Sequence, residues 1–524
     1  MHISQNFIRL LANIHTFVTM NDKLYIFDTT LRDGEQVPGC QLNTIEKIEL
    51  AKLLESLGVD IIECGFPISS PGDFKSVVEI SKVVTSSRIC ALSRAVEKDI
   101  DAAAEALHFA ELKRIHTGIG TSDYHIKYKF NSNREDILKR AIACVKYARK
   151  YVDDVEFYAE DAGRTENEFL ARVVEAVIAA GATVVNIPDT TGYCFPAEYG
   201  AKIAYLMNNV PNIDKAILSV HCHNDMGLAI ANTISGIQAG ARQAEVTVNG
   251  IGERAGNASL EELAMVFNVR KDMLHFTTGI NTKQIYKTSR LVANTINYPV
   301  PKNKPVVGEN IFAHESGIHQ DGVIKNRETY EIMSPESIGK DHNDIVLGRH
   351  SGFNGFKKRV RQLGFKLNAD EFKKIYPVFL KIADSKTEVF DEDIIAIVND
   401  ELGKKTDTMR MKYFSIISGN SGISTATVEI EDSNGTKQEA AIGDGPISAV
   451  FNAIDRVTGL HATLEEFLIQ AVSPSRLAVG EASVVINVDG RKFSGKGAST
   501  NILEASAKAY LNALNKSKIS SEAE

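Results

Sequence analysis

Short apolar segments and amphipathic segments alternate eight times between residue 24 and about residue 270, and this alternation constrains the fold most strongly. Each apolar segment is five or six residues long and rich in residues that favour strands. The predicted strands are LYIFD (24–28), DIIEC (60–64), RICALS (88–93), RIHTGI (114–119), DVEFY (154–158), TVVNI (183–187), ILSVHC (217–222) and AEVTV (244–248). Eight strand–helix units in about 250 residues predict an α/β fold, a TIM (β/α)8 barrel, with an open doubly wound sheet as the alternative.

Polar motifs follow the predicted strands at the ends where a barrel places its chemistry. They are FDTTLRDGEQ after the first strand, EDAGR after the fifth, DTTG after the sixth, HCHND at the end of the seventh and NGIGERAGNAS after the eighth. Because the carboxyl ends of barrel strands meet at one face, these motifs are expected to converge on one site.

His221 and His223 are two residues apart at the end of a predicted strand, so their side chains point to the same side. Asp33 and Asn257 are expected to reach the same mouth of the barrel. Two imidazoles, a carboxylate and an amide oxygen suit a divalent ion such as Zn²⁺ or Mn²⁺. The alternatives are that the histidines only end the strand, that Asp33 caps the next element, and that Asn257 caps a helix near Ser259.

The composition excludes several classes of protein. The chain of 524 residues carries a formal net charge of −8, without the basic surface that nucleic acids or anionic membranes require. Its six cysteines form no CxxC pair, which favours buried thiols in a cytoplasmic protein. Polar residues interrupt the apolar run of residues 1–19, so this run is too short and broken to span a membrane. It also lacks the cleavage site of a secretory signal.

The C-terminal region contains an internal repeat beginning at Thr425 and Glu481, and each copy predicts a β-hairpin, a glycine-rich turn and a helix. The turns GDGP (443–446) and GKGAS (495–499) would each present a helix N-terminus, which attracts anions such as a carboxylate. The expected effector-binding positions are Gly443, Gly445, Gly495 and Gly497. The alternative is a repeat that serves only packing and dimerisation.

These features divide the chain into five parts. They are a leader (1–21), the barrel (22–275), a helical linker region (276–410), a C-terminal α+β domain containing the ββα repeat (411–516) and a tail (517–524).

Several motifs closely resemble the 2-isopropylmalate synthases, within the DRE-TIM metallolyase superfamily. They are DTTLRDGEQ, GFPISSPGDF, EDAGRT, NIPDTTGY, HCHNDMGLA, GIGERAGNASLEE and SGIHQDG, and the resemblance runs from about residue 22 to residue 515. It implies a Claisen-type condensation in which acetyl-CoA and 2-oxoisovalerate give 2-isopropylmalate and CoA, the committed step of leucine biosynthesis. It also implies a divalent cofactor, Mn²⁺ first and Mg²⁺, Zn²⁺ or Co²⁺ as alternatives, on Asp33, His221, His223 and Asn257.

The required chemistry and the resemblance together suggest the remaining roles. Arg32 suits the negative charge that develops during condensation, although a structural salt bridge is the alternative. Glu160 and His319, the latter in a predicted glycine-flanked loop, are candidates for the base. Tyr330 matches an assisting tyrosine, with a packed aromatic as the alternative, and the segment carrying it reaches the partner subunit of a homodimer in this family. Leucine is implied as a feedback inhibitor bound by the C-terminal domain.

The identity of the keto acid depends on the pocket. Thr190 and His116 match substrate-contacting positions, although DTTG around Thr190 could be only a turn. Tyr158 stands where a small serine is common in the family, and it would narrow the pocket in favour of the smaller substrate pyruvate. Gly118 stands where some relatives have a phenylalanine, so it would restore some of the volume of the pocket. Citramalate synthase (pyruvate) and homocitrate synthase (2-oxoglutarate) are therefore the alternatives. A non-catalytic amino-acid-binding regulator is the alternative from another class.

Overall fold

A closed barrel of eight parallel strands is present in the computed structural model, which describes residues 22–314, 316–340, 352–363, 365, 367–385, 394, 397–398, 409–419, 422–471 and 480–522. A two-residue strand β1 (Asp22–Lys23) pairs with β10 (Phe276–Thr277) outside the barrel. The barrel strands are β2 (Tyr25–Asp28), β3 (Ile61–Glu63), β4 (Arg88–Arg94), β5 (Lys113–Gly120), β6 (Val155–Glu160), β7 (Val184–Asp189), β8 (Ile217–Cys222) and β9 (Gln243–Val246). All eight predicted strands are confirmed, and the pairing of β9 with β2 closes the sheet. The predicted leader, residues 1–21, lies outside the described residues.

One helix follows each barrel strand and covers the outside of the barrel. These helices are α1 (Thr44–Leu57), α2 (Pro71–Ser81), α3 (Glu97–Ala106), α4 (Arg134–Ala148), α5 (Asn167–Ala180), α6 (Pro196–Asn209), α7 (Ala229–Gln238) and α8 (Leu260–Val269). Local sequence fixes their ends: Asn43 and Glu46 form a capping box at the start of α1, and Gly58 ends it in the left-handed conformation. The outer core consists mainly of buried aliphatic side chains between strands and helices.

The interior of the barrel is polar rather than apolar below the mouth. Arg114 donates to Glu156 (2.9 Å) and to Gln243 (2.8 Å), and Gln243 donates to Glu156 (2.7 Å) and to Ser219 (2.9 Å). Every one of these side chains is buried. Buried polar side chains of this kind are stable when they satisfy one another's hydrogen bonds. They therefore form a rigid polar layer below the residues of the mouth.

The described residues divide into two compact units. The first contains the described residues up to Ala313 and residues 331–340, including the barrel and α9 (Ile285–Thr295); the second contains His314–Tyr330 and the described residues from 352 onwards. The second unit includes α10 (Gly317–Lys325), α11 (Phe353–Gln362) and α12 (Ala369–Ser385). The prediction of a loop around His319 is wrong, because this residue lies within α10, whose N-cap is Ser316.

The two C-terminal repeats each form a three-stranded antiparallel sheet and one helix. The first sheet contains β11 (Arg410–Gly419), β12 (Gly422–Asp432) and β13 (Gly435–Gly443), followed by α13 (Pro446–Thr458). The second contains β14 (Thr463–Ala471), β15 (Gly480–Val488) and β16 (Arg491–Ser499), followed by α14 (Ile502–Glu522). The predicted hairpin-and-helix repeat is confirmed as β12–β13–α13 and β15–β16–α14. Among the described helices, none is long and apolar enough to cross a membrane.

The predicted turn at GKGAS is wrong, whereas the one at GDGP is confirmed. Gly443 ends β13 and Gly445 is the N-cap of α13, so GDGP does lead into a helix. Gly495 and Gly497 instead lie within β16, where an added Cβ would stand 2.1 Å from Ala509 O and 2.3 Å from Ala505 O respectively. These two glycines therefore allow α14 to pack directly on the strand backbone.

Candidate metal centre and active site

Asp33, His221 and His223 come together at the mouth of the barrel, as predicted from the sequence. Each offers a ligand atom, and these atoms lie within 4.8 Å of one another. The Nε2 atoms of the two histidines are 3.2 Å apart. Two nitrogens bound to one ion at about 2.1 Å lie about 3 Å apart when the angle between them is near ninety degrees. The two imidazoles are therefore spaced like ligands of one cation.

Two of the candidate ligands, His221 and Asn257, are held by neighbours that leave a metal-binding atom available. His221 Nδ1 lies 2.7 Å from Glu245 Oε2, and because a carboxylate accepts, the proton is placed on Nδ1 and the lone pair on Nε2. Asn257 Nδ2 donates to Asp33 Oδ1 (2.9 Å). Among the described residues, the buried Oδ1 of Asn257 has no hydrogen-bond partner, which fits an oxygen kept for a ligand or its water.

The electrostatic environment keeps these side chains in the protonation states that a metal ion requires. Burial lowers the pKa of His221 and of His223 to about 4, so both imidazoles are neutral at pH 7. Burial alone would raise the pKa of Asp33, but Arg32, joined by the two histidines only at the acidic pH where they become charged, outweighs it and holds that pKa well below its usual range. The donor set of one carboxylate and two neutral imidazoles therefore fits a divalent cation.

Gly252 is required beside this cluster because the chain approaches it closely. Its φ is +150°, and an added Cβ would stand 2.1 Å from Asn257 Nδ2 and 2.9 Å from Asp33 Oδ1. This glycine belongs to the NGIGERAGNAS motif. A side chain here would displace the contact between Asp33 and Asn257, and Asn257 does not cap α8, whose N-cap is Ser259.

Arg32 links the metal-binding cluster to the interior of the barrel. Its Nη1 donates to Asp33 Oδ2 (2.8 Å) and its Nε to Glu63 Oε2 (2.6 Å). The salt bridge considered as the alternative role of Arg32 is therefore present, and it fixes the guanidinium beside the cluster. Glu63 Oε1 in turn lies 2.8 Å from His116 Nδ1, and burial encloses all of these groups.

His116 and Tyr158 contact each other on the wall of the same cavity. Their ring centroids are 5.0 Å apart in an edge-to-face arrangement, and the Tyr158 hydroxyl donates to Ser93 O (3.1 Å). Burial lowers the pKa of His116, but Glu156 and Glu63 outweigh it and the pKa lies above its usual range. The cavity has a volume of about 480 Å³ and also exposes Arg32, Asp33, His221, His223, Glu160 and Thr190.

Glu160 ends β6 at the same mouth and is paired with a cation. Both of its oxygens accept from Lys129 Nζ at 2.7 Å, and Oε2 lies 3.5 Å from His125 Nδ1. Burial raises the pKa of Glu160, but the neighbouring His125 and the hydrogen-bonded Lys129 outweigh it and leave the pKa below its usual range. Thr190 Oγ1 accepts from the backbone N–H of Asp161 (2.9 Å), so DTTG both forms a turn and lines the cavity.

His319 and Tyr330 lie together in the second compact unit. Their ring centroids are 4.4 Å apart, and both side chains are exposed. Gly322 allows this contact, since a Cβ there would stand 2.5 Å from Tyr330 Cε2. The two residues are thus neighbours of each other within this unit.

Sequence reasoning missed the residues that orient the predicted ones. The buried Glu245, Asn186 and Glu63 were not predicted, nor were Lys129 and His125, which are not fully buried. One signal was available: Glu245 is a charged residue within the predicted strand AEVTV (244–248). A charged residue within a buried strand needs a partner inside the fold.

Comparison with known proteins agrees with this geometry. Three family models match consecutive segments: HMGL-like (residues 23–292), Homocitrate synthase post-HMGL domain-like (306–387) and LeuA allosteric (dimerisation) domain (388–518). A 2-isopropylmalate synthase from Parabacteroides distasonis is 57% identical over 498 residues, covering 95% of this chain and 99% of the relative.

Relatives from two other organisms have the same name. The 2-isopropylmalate synthase from Ruminiclostridium cellulolyticum is 53% identical over 492 residues, covering 94% of this chain and 97% of the relative. The one from Pyrococcus furiosus is 52% identical over 498 residues, covering 95% and 99%. Because identity at this level extends over nearly the whole of both chains, the chain belongs to the 2-isopropylmalate synthase family and is an acyltransferase.

Proposed function

We propose that the protein condenses acetyl-CoA with 2-oxoisovalerate (3-methyl-2-oxobutanoate) and water, giving 2-isopropylmalate and CoA in leucine biosynthesis. The observation that carries the proposal is the convergence of Asp33, His221 and His223 beside Arg32 in one cavity. A 2-keto acid presents a carboxylate next to its keto oxygen, and such a pair chelates a divalent cation. The full-length similarity to named 2-isopropylmalate synthases supports the choice of substrates.

The residues at the mouth of the barrel have separate roles in the reaction. A divalent cation, with Mn²⁺ as our first choice, would be held by Asp33, His221 and His223, with Asn257 direct or through water, and would polarise the keto group. Arg32 faces the same cavity and stabilises negative charge that develops on the condensing oxygens. Because Glu63 and Asp33 fix its guanidinium, it needs no rearrangement to do so.

Proton removal from the acetyl methyl group is assigned to the pair of candidate bases. Glu160 is ionised and lines the cavity, so it can accept or relay a proton once Lys129 releases one of its oxygens. His319, with Tyr330 against its ring, is the second candidate and belongs to the other compact unit. Thr190 and His116 are assigned to the keto acid, whose carboxylate and side chain must be placed on the cavity wall.

The decisive experiment measures CoA release from acetyl-CoA with a panel of keto acids. We expect the highest kcat/KM with 2-oxoisovalerate and lower values with pyruvate, 2-oxobutyrate and 2-oxoglutarate. A higher kcat/KM with pyruvate would make citramalate synthesis the better assignment. No CoA release with any keto acid would favour the non-catalytic regulator.

Citramalate synthesis is the second candidate because Tyr158 occupies the wall of the cavity. Tyr158→Ser should enlarge the pocket and favour the branched keto acid, by about 1–3 kcal/mol at most. Gly118 is unsuitable for the reciprocal experiment, because a Cβ there would stand 2.1 Å from Tyr158 O in the neighbouring strand. Gly118→Phe would therefore disturb strand pairing as well as the volume of the pocket.

We further propose that leucine inhibits the enzyme by binding the C-terminal domain and that the protein acts as a homodimer. The match to the LeuA allosteric (dimerisation) domain over residues 388–518 supports both ideas. Gly443 and Gly445, at the start of α13, remain the proposed effector positions of the first repeat. Gly495 and Gly497 are proposed only as part of the second repeat, because they lie in β16 rather than at a helix N-terminus.

A further inference from the structure

Arg140 differs from the other cations that line the active-site cavity. Arg32, Arg94 and Lys129 also line it, and each is hydrogen-bonded to at least one carboxylate. Within the described part of the chain, the half-buried Arg140 makes neither a hydrogen bond nor an ion pair. Its guanidinium therefore keeps all five N–H donors available for a group outside the described residues.

The position of Arg140 in the barrel separates it from the metal-binding cluster. It lies on α4, which follows β5, whereas the cluster is built on β8, after β2 and after β9, three neighbouring strands. In a closed barrel of eight strands, β5 stands opposite β9. Because one cavity exposes both Arg140 and the cluster, the cavity extends across the mouth.

An aromatic ring holds the guanidinium of Arg140 in place. The Cζ of Arg140 lies 5.1 Å from the centroid of the Phe130 ring, and Lys129 Nζ lies 5.6 Å from the same centroid. Phe130 also lines the cavity. A stacked guanidinium is positioned without an acidic partner, so its charge is not neutralised and its planar fork remains available for a bidentate anion.

The chemistry of the two proposed substrates distinguishes between the two ends of this cavity. The keto acid carries its carboxylate next to the reacting carbonyl, so its charge must lie near the metal-binding cluster. The acyl donor carries its phosphates at the end of the molecule remote from the thioester. An unpaired arginine across the mouth from the cluster matches the second pattern.

We propose that Arg140, held over Phe130, is the phosphate subsite for acetyl-CoA. This assignment rests on the proposed function, in which acetyl-CoA is the acyl donor. The arginine fork binds phosphate oxygens bidentately, anchors the remote end of the donor, and thereby directs the thioester across the mouth towards the cluster. Its contribution is to binding of the donor and not to the chemical step.

The test compares Arg140→Gln with the wild type on two acyl donors, acetyl-CoA and acetyl-pantetheine, which lacks the nucleotide phosphates. We expect the KM for acetyl-CoA to rise about tenfold in Arg140→Gln, because a charge-assisted contact is lost, with kcat nearly unchanged. The KM for acetyl-pantetheine and the KM for the keto acid should stay at their wild-type values. Arg140→Lys, which keeps the charge without the fork, should be intermediate.

Lys139→Gln is the matched control. It removes a charge from the adjacent position of α4, but Lys139 is exposed and does not line the cavity. It should leave all three KM values unchanged. This result would distinguish a specific contact of Arg140 with the donor from a general effect of positive charge on α4. An equal effect of Lys139→Gln would contradict the subsite.

Other results would also overturn the assignment. They are an unchanged KM for acetyl-CoA in Arg140→Gln, an equal rise with both acyl donors, or a rise in the KM for the keto acid. Calorimetric titration with CoA and with pantetheine tests the subsite without turnover, and only CoA binding should weaken in Arg140→Gln. Failure of the wild type to release CoA with any keto acid would contradict the proposed function instead, and the titration would still decide on the subsite.

Discussion

Replacement of Glu245 by glutamine should weaken metal binding although Glu245 is not a ligand. Glu245 is buried, and its two oxygens serve two donors: His221 Nδ1 at 2.7 Å and Asn186 Nδ2 at 2.6 Å. A glutamine side chain offers one oxygen and one NH₂ group. Its NH₂ group must therefore face either His221 or Asn186, and Asn186 can accept from it only by turning its amide so that Oδ1, which has no partner among the described residues, takes the place of Nδ2.

The size of the effect follows from which neighbour the NH₂ group faces. If the NH₂ group faces His221, the imidazole proton moves to Nε2 and blocks the lone pair that would bind the metal. If it faces Asn186, the amide of Asn186 must turn over, and His221 keeps only a neutral amide oxygen in place of the carboxylate. Losing such an orienting carboxylate typically weakens metal affinity about 10- to 100-fold, or about 1.4–2.7 kcal/mol.

The assay is competition for Mn²⁺ or Zn²⁺ against a chromophoric chelator, with near-ultraviolet circular dichroism to verify the fold. Glu156→Gln is the matched control: burial raises the pKa of Glu245 to about 7 and that of Glu156 to about 8, so both substitutions replace a buried carboxyl group of raised pKa. Glu156 lies beside Glu245, but its own oxygens accept from Arg114 and Gln243 and not from His221. The double variant Glu245→Gln/Asn186→Asp restores an acceptor for both donors and should recover affinity. Wild-type affinity in Glu245→Gln, or no recovery in the double variant, would refute the reasoning.

Three further outcomes are expected. His221→Ala should lose bound metal and nearly all turnover while the circular dichroism of the barrel is retained; full activity of this variant after EDTA treatment would contradict the metal centre. Lys129→Gln removes the cation on both oxygens of Glu160, so the pKa of Glu160 should rise and the acidic limb of the kcat/KM profile should move to higher pH, whereas Lys129→Arg should keep it in place. Deletion of residues 409–524 should abolish inhibition by leucine, measured as residual CoA release, and persistent inhibition would place the effector elsewhere.

The barrel was predictable from the sequence because its signals are local. Each strand is a short apolar segment and each helix has its own caps, so no knowledge of distant contacts was needed. The metal-binding cluster was predictable for a related reason. Two histidines that are two residues apart in a strand lie on the same face, and the ends of barrel strands meet at one mouth. The sequence alone therefore predicts where His221 and His223 lie.

The interior partners were not predictable in the same way. Pairing His221 with Glu245, or Arg114 with Glu156, requires the register between neighbouring strands, which periodicity alone does not give. The error at GKGAS has another cause, because two glycines so close together are also typical of a turn. Their spacing, at Gly495 and Gly497, is that of one face of a strand, and this pattern indicates close approach of another backbone.

The same two glycines make the two copies of the repeat unequal in what they tolerate. Aligned from Thr425 and Glu481, Gly495 and Gly497 correspond to Glu439 and Ala441, so the second copy has no side chain at two strand positions where the first has one. Because α14 rests on the backbone of β16, a side chain at either glycine would require the helix to move away. Geometry therefore restricts substitution at these two positions of the second copy, whereas the exposed Glu439 of the first copy is under no such restriction.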